Sequence, residues 1–239
     1  MTASGMQALI FDCDGVLVDT ERDGHRVAFN KAFADLGLDA AWSVERYGEL
    51  LKIAGGKERM TRHFDETRWP VQESGRGDLI KRLHERKTAI FMELLDGGGM
   101  VLRPGVARLV DEAIAANIPI AVCSTSADRA VNAVVSGKLG VERASKIKVF
   151  AGDIVKRKKP DPEIYNLAAT VLGVEPSKCV VIEDSQNGLE AAKAAGMNCI
   201  VTISSYTGGE DFRLADLVVA DLDAGIDLAA CQAIGRGSA

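Results

Sequence analysis

The sequence predicts an α/β protein: a doubly wound, Rossmann-like core around a parallel sheet, with an α-helical cap domain inserted after the first strand. Three observations carry this. Through the second half, short and continuously apolar runs alternate with amphipathic stretches, the pattern of strands covered by helices on both faces of a parallel sheet. Residues 21–95 show helical patterning and no convincing strand. A chain of 239 residues also suits one core domain with a smaller insert better than two full-sized domains.

In chain order, the first strand is the apolar run Gln7–Phe11. The chain leaves the core at Thr20-Glu21, helical segments follow at Glu21–Leu36, Val44–Lys52, Lys57–Phe64 and Asp78–Leu95, and Gly97-Gly98-Gly99 marks the return. The core is therefore expected to comprise residues 1–20 and 99–239, and the cap residues 21–98. Two crossings between them suit a hinge-mounted cap. Further strands are expected at Ile118–Cys123, Ile147–Phe150, Cys179–Ile182, Cys199–Ile203 and Leu217–Val219, with helices around 127–137, 162–172, 186–195 and 223–234. Asp161 can cap a helix whose first residue is Pro162, where a missing N–H costs nothing. Gly173 and Gly196 stand where left-handed residues end helices. The small, polar tail Gly235–Ala239 is expected to be disordered.

Composition narrows the function. With 47% hydrophobic and 26% charged residues, the chain is neither disordered nor collagen-like nor a disulfide scaffold, and no fixed-period repeat suggests a solenoid. Apolar runs fall far short of the roughly 20 residues that span a bilayer. A net charge of −5 argues against nucleic-acid and anionic-membrane binding. Cys13, Cys123, Cys179, Cys199 and Cys231 have no CxxC spacing and read as buried, reduced thiols. Met1–Gln7 lacks the basic and apolar segments of a signal sequence. Without heptads or a long apolar edge, monomer is the default.

Polar residues at strand ends carry the chemistry. The first strand runs into Asp12-Cys13-Asp14-Gly15, and ligands of open parallel sheets sit outside the C-terminal ends of the strands. Two aspartates at i and i+2 can address one small volume, with Gly15 freeing the backbone to turn; the competing reading is an Asx turn. Strand alternation turns Cys13 away, toward packing. Ser124-Thr125-Ser126 offer hydroxyls to an anion, or cap the next helix. Lys156-Arg157-Lys158-Lys159 is, taken alone, a solvated loop. Glu183-Asp184-Ser185 is a second acidic pair, or a cap. Each bland reading is credible singly, but together they require a coincidence. In the insert, Gly55-Gly56-Lys57-Glu58-Arg59 combines bare backbone amides with two cations at a helix start, although a Gly-rich turn before a surface helix is the simpler reading of those residues alone.

Asp-x-Asp, Ser, Lys-Pro and Glu-Asp at successive strand ends resemble the four motifs of the haloacid dehalogenase superfamily, in the same order and over nearly the whole chain. The cap after the first motif is similar to that of the β-phosphoglucomutases and sugar-phosphate phosphatases. Asp12–Asn30, Tyr47–Met60 and Cys123–Ser126 resemble the plant and algal type of the CbbY family of xylulose 1,5-bisphosphate phosphatases. Val16 stands where the broader superfamily often has Thr, a departure shared within the β-phosphoglucomutase-like branch.

The resemblance implies an Mg2+-dependent phosphatase working through an aspartyl phosphate. Asp12 would be the nucleophile and Asp14 the general acid and base, with Ser124 and Lys159 holding phosphoryl oxygens. Asp12, the Asp14 carbonyl and Asp184 would bind the metal, with Glu183 orienting its shell. In the cap, expected to set specificity, Lys57 and Arg59 would meet a distal phosphate beside Gly55, Gly56 and Glu58. Glu21, His25 and Tyr47 would meet sugar hydroxyls, with Lys87 assisting; on its own an amphipathic-helix residue such as His25 is more often a satisfied interface residue than a catalytic base, and Lys87 reads equally well as a solvated charge. Thr125 and Ser126 would either contact substrate or cap the helix near 127. The implied partner is a sugar bisphosphate, with a functional link to Rubisco but no direct binding. The implied compartment is the chloroplast stroma, a transit peptide lying outside the sequence, or the cytoplasm for a bacterial source. A phosphosugar mutase and a non-catalytic sugar-phosphate-binding protein are the competing functions.

Overall fold

The computed structural model describes residues 5–235, so the tail expectation beyond Gly235, and Met1–Ser4, lie outside the described residues. The chain forms two compact units: residues up to Asp19 with those from Val101 onward, and Thr20–Met100.

The first unit is built on six parallel strands, β1 (Ala8–Phe11), β2 (Ile120–Ser124), β3 (Ile147–Ala151), β4 (Cys179–Glu183), β5 (Asn198–Thr202) and β6 (Leu217–Val219). Their order is β3-β2-β1-β4-β5-β6, so the winding reverses on either side of β1. Strands β1, β2 and β4 are buried at every residue, which is why they read as unbroken apolar runs. On one face Ala8, Ile10, Ala121, Cys123 and Val181 pack with Ile164, Tyr165, Ala168 and Leu189. Phe11 pairs with Val122 and with Ile182, so the register brings Asp12 level with the ends of β2 and β4.

The short helix at Val141–Ala144 is not expected from the sequence, and two longer helices differ from the sequence reading. Residues 100–117 carry no assignment there, yet α5 spans Val106–Ala115 and buries Val106, Leu109, Val110 and Ala113, an i, i+3, i+4, i+7 stripe. The last helix starts at Leu228, not near 223, because the Asp227 carboxylate caps it by accepting from the Ala230 N–H at 2.8 Å. α8 (Glu163–Leu172) starts one residue later than expected, with Pro162 just before it and the Glu163 N–H donating to Asp161 Oδ1 at 3.0 Å; Gly173 and Gly196 match the expectation, with φ of 70° and 76°. The remaining helices of this unit are α6 (Asp128–Leu139), the short α7 (Val141–Ala144) and α9 (Gln186–Ala194); the last helix, α10, ends at Ile234.

The second unit is helical throughout. A π-helical stretch at Glu21–His25 runs into α1 (Arg26–Asp35), followed by α2 (Val44–Leu51), α3 (Gly56–Glu66) and the long α4 (Arg76–Asp96). Phe29, Phe33, Trp42, Tyr47, Leu50, Met60 and Phe91 are among its fully buried large side chains, and each Leu, Met or Phe contributes about 1.5–3 kcal/mol by burial. Asn30 fixes the α1–α2 connection: its side chain accepts from the Trp42 N–H at 2.7 Å and donates to the Trp42 carbonyl at 2.9 Å. His63 stacks against Phe33 and meets Trp42 edge-on, with its Nδ1 buried and lacking a hydrogen-bond partner among the described residues.

Candidate active site

Strand ends β1, β2 and β4 flank the reversal in winding, where open α/β sheets bind ligands. Asp12 follows β1, Ser124 closes β2 and Glu183 closes β4. Asp12, Glu183 and Asp184 are buried and offer oxygens that all lie within 4.8 Å of one another. Such a carboxylate cluster is costly unless cations compensate it.

One compensating cation is Lys159, only 6% exposed. Its ammonium donates to Asp12 Oδ1 and Glu183 Oε1, both at 2.6 Å, and to the Cys123 carbonyl at 3.0 Å, which uses its three N–H groups. It also lies 4.9 Å from the Tyr165 ring centroid. Burial alone would lower the Lys159 pKa, but the Asp12 and Glu183 carboxylates outweigh it and hold the ammonium charged. Of the rest of the basic run, Lys156 and Arg157 are exposed, with the Glu163 carboxylate accepting from their backbone N–H groups, while Lys158 is partly buried and pairs with Asp153.

Glu183 is fully buried and accepts from several donors. Besides Lys159 it accepts from Tyr165 Oη at 2.8 Å, the Asp184 N–H at 2.9 Å, and the Ser185 hydroxyl and N–H at 3.2 and 3.3 Å. Burial pushes its pKa up, but Lys159 and these donors bring it below the ordinary value. Asp12 behaves oppositely. Burial raises it to about 8 against the pull of Lys159, and the charges of Glu183 and Asp14 add to the rise. A hard cation among these oxygens would favour the ionised carboxylate, so the donor set suits a divalent metal.

Two glycines seat the acids. Gly15 has φ +84°, and a Cβ there would lie 2.0 Å from Asp184 Oδ2; at Gly188 in α9 a Cβ would lie 1.8 Å from Glu183 Oε1. Ser126 links the other two polar groups. Its hydroxyl donates to Asp14 Oδ2 at 2.5 Å, and its N–H donates to Ser124 Oγ at 3.0 Å. Ser126 is thereby directed at Asp14, and Ser124, accepting from that N–H, has its own hydroxyl proton to offer elsewhere. Thr125 is half-buried beside them.

The second unit gathers its candidates into two groups. Tyr47 donates to the Glu21 carboxylate, Arg59 donates to Tyr47 Oη at 3.3 Å and to the Ile53 carbonyl at 2.8 Å, and Arg59 pairs with Glu21 at 3.7 Å. In the other group Lys87 Nζ meets His25 Nδ1 at 2.8 Å, His25 stacks on Phe91, and the Lys87 ammonium lies 4.8 Å from the Phe29 centroid. Lys87 is therefore buried, not a solvated charge. Gly55, with φ +98°, precedes α3, and Gly56 opens it. Lys57 and Glu58 line a depression of about 410 Å³ with Ile53, Thr61, Arg62 and Asp65.

Sequence reasoning missed three residues. Tyr165 stands six residues after Lys159 on a helix and reads as core; Gly188 reads as an ordinary helical residue. Arg103 carries no motif, yet its guanidinium reaches the Gly15 loop and the ends of β5 and β6.

Comparison with known proteins agrees with this architecture. A family model described as a haloacid dehalogenase-like hydrolase matches residues 6–196. A CBBY-like protein of Arabidopsis thaliana is 60% identical over 215 residues, covering 88% of this chain and 67% of that protein. Protein CbbY of Rhodobacter capsulatus is 42% identical over 231 residues, covering 96% and 97%. Among solved structures, a variant of CbbY from Rhodobacter sphaeroides in complex with xylulose-(1,5)bisphosphate superposes with a TM-score of 0.88 at 39% identity, covering 95% of this chain and 99% of that one.

Proposed function

The chain belongs to the haloacid dehalogenase-like hydrolase family, and on that premise we propose that it is a Mg2+-dependent sugar-phosphate phosphatase whose preferred substrate is xylulose 1,5-bisphosphate, released as xylulose 5-phosphate. The observation that carries the phosphoryl-transfer reading is the convergence of Asp12, Glu183 and Asp184 within 4.8 Å. The substrate rests on the likeness to the CbbY structure that holds xylulose bisphosphate.

Asp12, Asp184 and the Asp14 carbonyl would hold Mg2+, with Glu183 orienting its shell. Bound there, the ion supplies the positive charge that lets an anionic nucleophile approach a phosphoryl dianion. The Asp12 carboxylate attacks phosphorus, the bond from phosphorus to the sugar oxygen breaks, and Asp14 gives that oxygen a proton. Asp14 then takes a proton from the water that attacks the aspartyl phosphate, freeing inorganic phosphate and restoring Asp12. Ser126 holds Asp14 for both transfers. Ser124 donates its hydroxyl to a phosphoryl oxygen, and Lys159 exchanges one of its three present acceptors for another.

Recognition of the sugar is assigned to the second unit. Lys57 and Arg59 serve the distal phosphate, with Gly55, Gly56 and Glu58 around them; Glu21, His25, Tyr47 and Lys87 serve the hydroxyls, and Thr125 completes the set at the end of β2. The enzyme would remove an inhibitor of Rubisco in the chloroplast stroma, or in the cytoplasm of a bacterium. Five buried cysteines fit a reducing compartment.

The test is Mg2+-dependent phosphate release from xylulose 1,5-bisphosphate, ribulose 1,5-bisphosphate and fructose 1,6-bisphosphate, beside β-glucose 1-phosphate with its bisphosphate activator. A strong preference for the first is expected. Equal hydrolysis of all would overturn the substrate assignment, and isomerisation of glucose phosphate without phosphate release would make the protein a mutase.

A further inference from the structure

We propose that Arg103 is a positioning residue that fixes the Gly15 peptide and, through it, the mutual placement of the two acidic segments Asp12–Gly15 and Glu183–Asp184, so that its loss weakens divalent-cation binding. The proposal rests on the phosphatase reading above.

Arg103 is pinned to the first acidic loop by its backbone: its N–H donates to the Leu17 carbonyl at 2.9 Å, beside the bridge between Val18 and Leu102. Its guanidinium then reaches five acceptors. Nη1 donates to the Gly15 carbonyl, to Thr202 Oγ1 at 3.1 Å and to the Thr202 carbonyl at 3.2 Å; Nη2 donates to the Ile203 carbonyl at 2.6 Å and the Ala220 carbonyl at 2.8 Å. No carboxylate pairs with it among the described residues. A planar, always-charged fork can serve several carbonyls in fixed directions, which a lysine ammonium cannot.

Two links carry this clamp to the acids. On one side, the Asp184 carboxylate packs directly on Gly15, with Oδ2 2.0 Å from where a Cβ would stand. A displaced Gly15 therefore displaces Asp184, and it also moves the neighbouring Asp14 carbonyl, a proposed metal ligand. On the other side, Thr202 Oγ1 accepts from Arg103 and donates to the Glu183 carbonyl at 3.4 Å, at the end of the strand pair where Glu183 is in register with Val201. One side chain thus ties both acidic segments to the ends of β5 and β6. Groups that orient metal ligands commonly contribute about 10- to 100-fold to metal affinity.

The experiment is a Mn2+ titration of the full chain, read by loss of the free-ion electron paramagnetic resonance signal, on wild type, Arg103→Met and Arg103→Lys, with thermal melting alongside. Binding at least about tenfold weaker in Arg103→Met, with partial recovery in Arg103→Lys, is expected. Unchanged Mn2+ affinity in a folded Arg103→Met, whatever its melting temperature, would make Arg103 a structural clamp only and overturn the proposal while leaving the phosphatase reading intact. Should Arg103→Met fail to fold, wild-type affinity in Arg103→Lys overturns the proposal in the same way, and weakened affinity there supports it. A wild type that binds no Mn2+ overturns the proposal together with the metal-dependent reading.

Discussion

Gly188→Ala sets helix propensity against packing. Gly188 lies inside α9, where replacing glycine by alanine ordinarily stabilises by about 1 kcal/mol. Here the new Cβ would stand 1.8 Å from Glu183 Oε1, against an ordinary contact of 3.4 Å, so the carboxylate must retreat by 3.4 − 1.8 = 1.6 Å. A carboxylate at the end of a flexible side chain could do so cheaply, but this one is buried and held by Lys159 at 2.6 Å and Tyr165 at 2.8 Å. Retreat breaks both, and breaking a buried ion pair costs about 3–5 kcal/mol. The net loss is then about 2–4 kcal/mol, a fall in melting temperature on the order of 10 °C for a chain of this size. Phosphatase turnover should drop with it, because Lys159 loses one of its two carboxylate partners. Gly77→Ala is the control: nothing lies within 4 Å of a Cβ there, so a gain of up to about 1 kcal/mol is expected in α4. Calorimetric melting and phosphate release on both variants decide it. If Gly188→Ala melts as high as Gly77→Ala, the Glu183 carboxylate is not seated as described and the reasoning fails.

Other predictions follow from single contacts. Ser126→Ala removes a hydrogen bond to a charged acceptor, worth about 1.5–3 kcal/mol, so kcat for sugar phosphates should fall by roughly one to two orders of magnitude. Formation of the phosphoenzyme from an aryl phosphate, whose leaving group needs no proton, should be spared, and equal losses in that first step for sugar and aryl phosphates would place Ser126 on the substrate instead of on Asp14. Burial, and then the charge of Arg46, lower the His63 pKa, with Glu66 opposing. The unfolded chain therefore takes up that proton first, and the helical unit loses stability as pH falls below about 6.5. Urea unfolding at successive pH values should show this slope in wild type and a shallower one in His63→Gln; identical slopes would refute it.

Much of the fold and the site is legible in the sequence because the chemistry sits at strand ends. Continuous apolar runs such as Ile120–Cys123 and Cys179–Ile182 mark buried parallel strands, and the polar residue that ends each run is delivered to the same edge of the sheet. Asp12, Ser124, Glu183 and Asp184 are visible for that reason. What stays hidden depends on long-range convergence. Arg103 gains its partners from Gly15, Thr202 and Ala220, which no local spacing connects. Tyr165 shares a helix face with core residues, so nothing in the periodicity separates a phenol that bonds Glu183 from one that merely fills space. Gly188 is informative only once the Glu183 carboxylate is seen against it. α5 escapes the sequence reading because its amphipathic stripe is short and opens directly on the Arg103-Pro104-Gly105 turn, and the start of α10 is set by a capping carboxylate within a loop of several acids.

The central claim is that phosphorus passes through the Asp12 carboxylate, and acid-quenched turnover followed by peptide mass spectrometry tests it most directly. Wild-type enzyme mixed with Mg2+ and xylulose 1,5-bisphosphate should carry the phosphoryl group on the peptide containing Asp12, Asp14→Asn should accumulate it with a good leaving group, and Asp12→Asn should show neither label nor turnover. Turnover by Asp12→Asn, or a phosphoryl group on a different residue, would contradict the account.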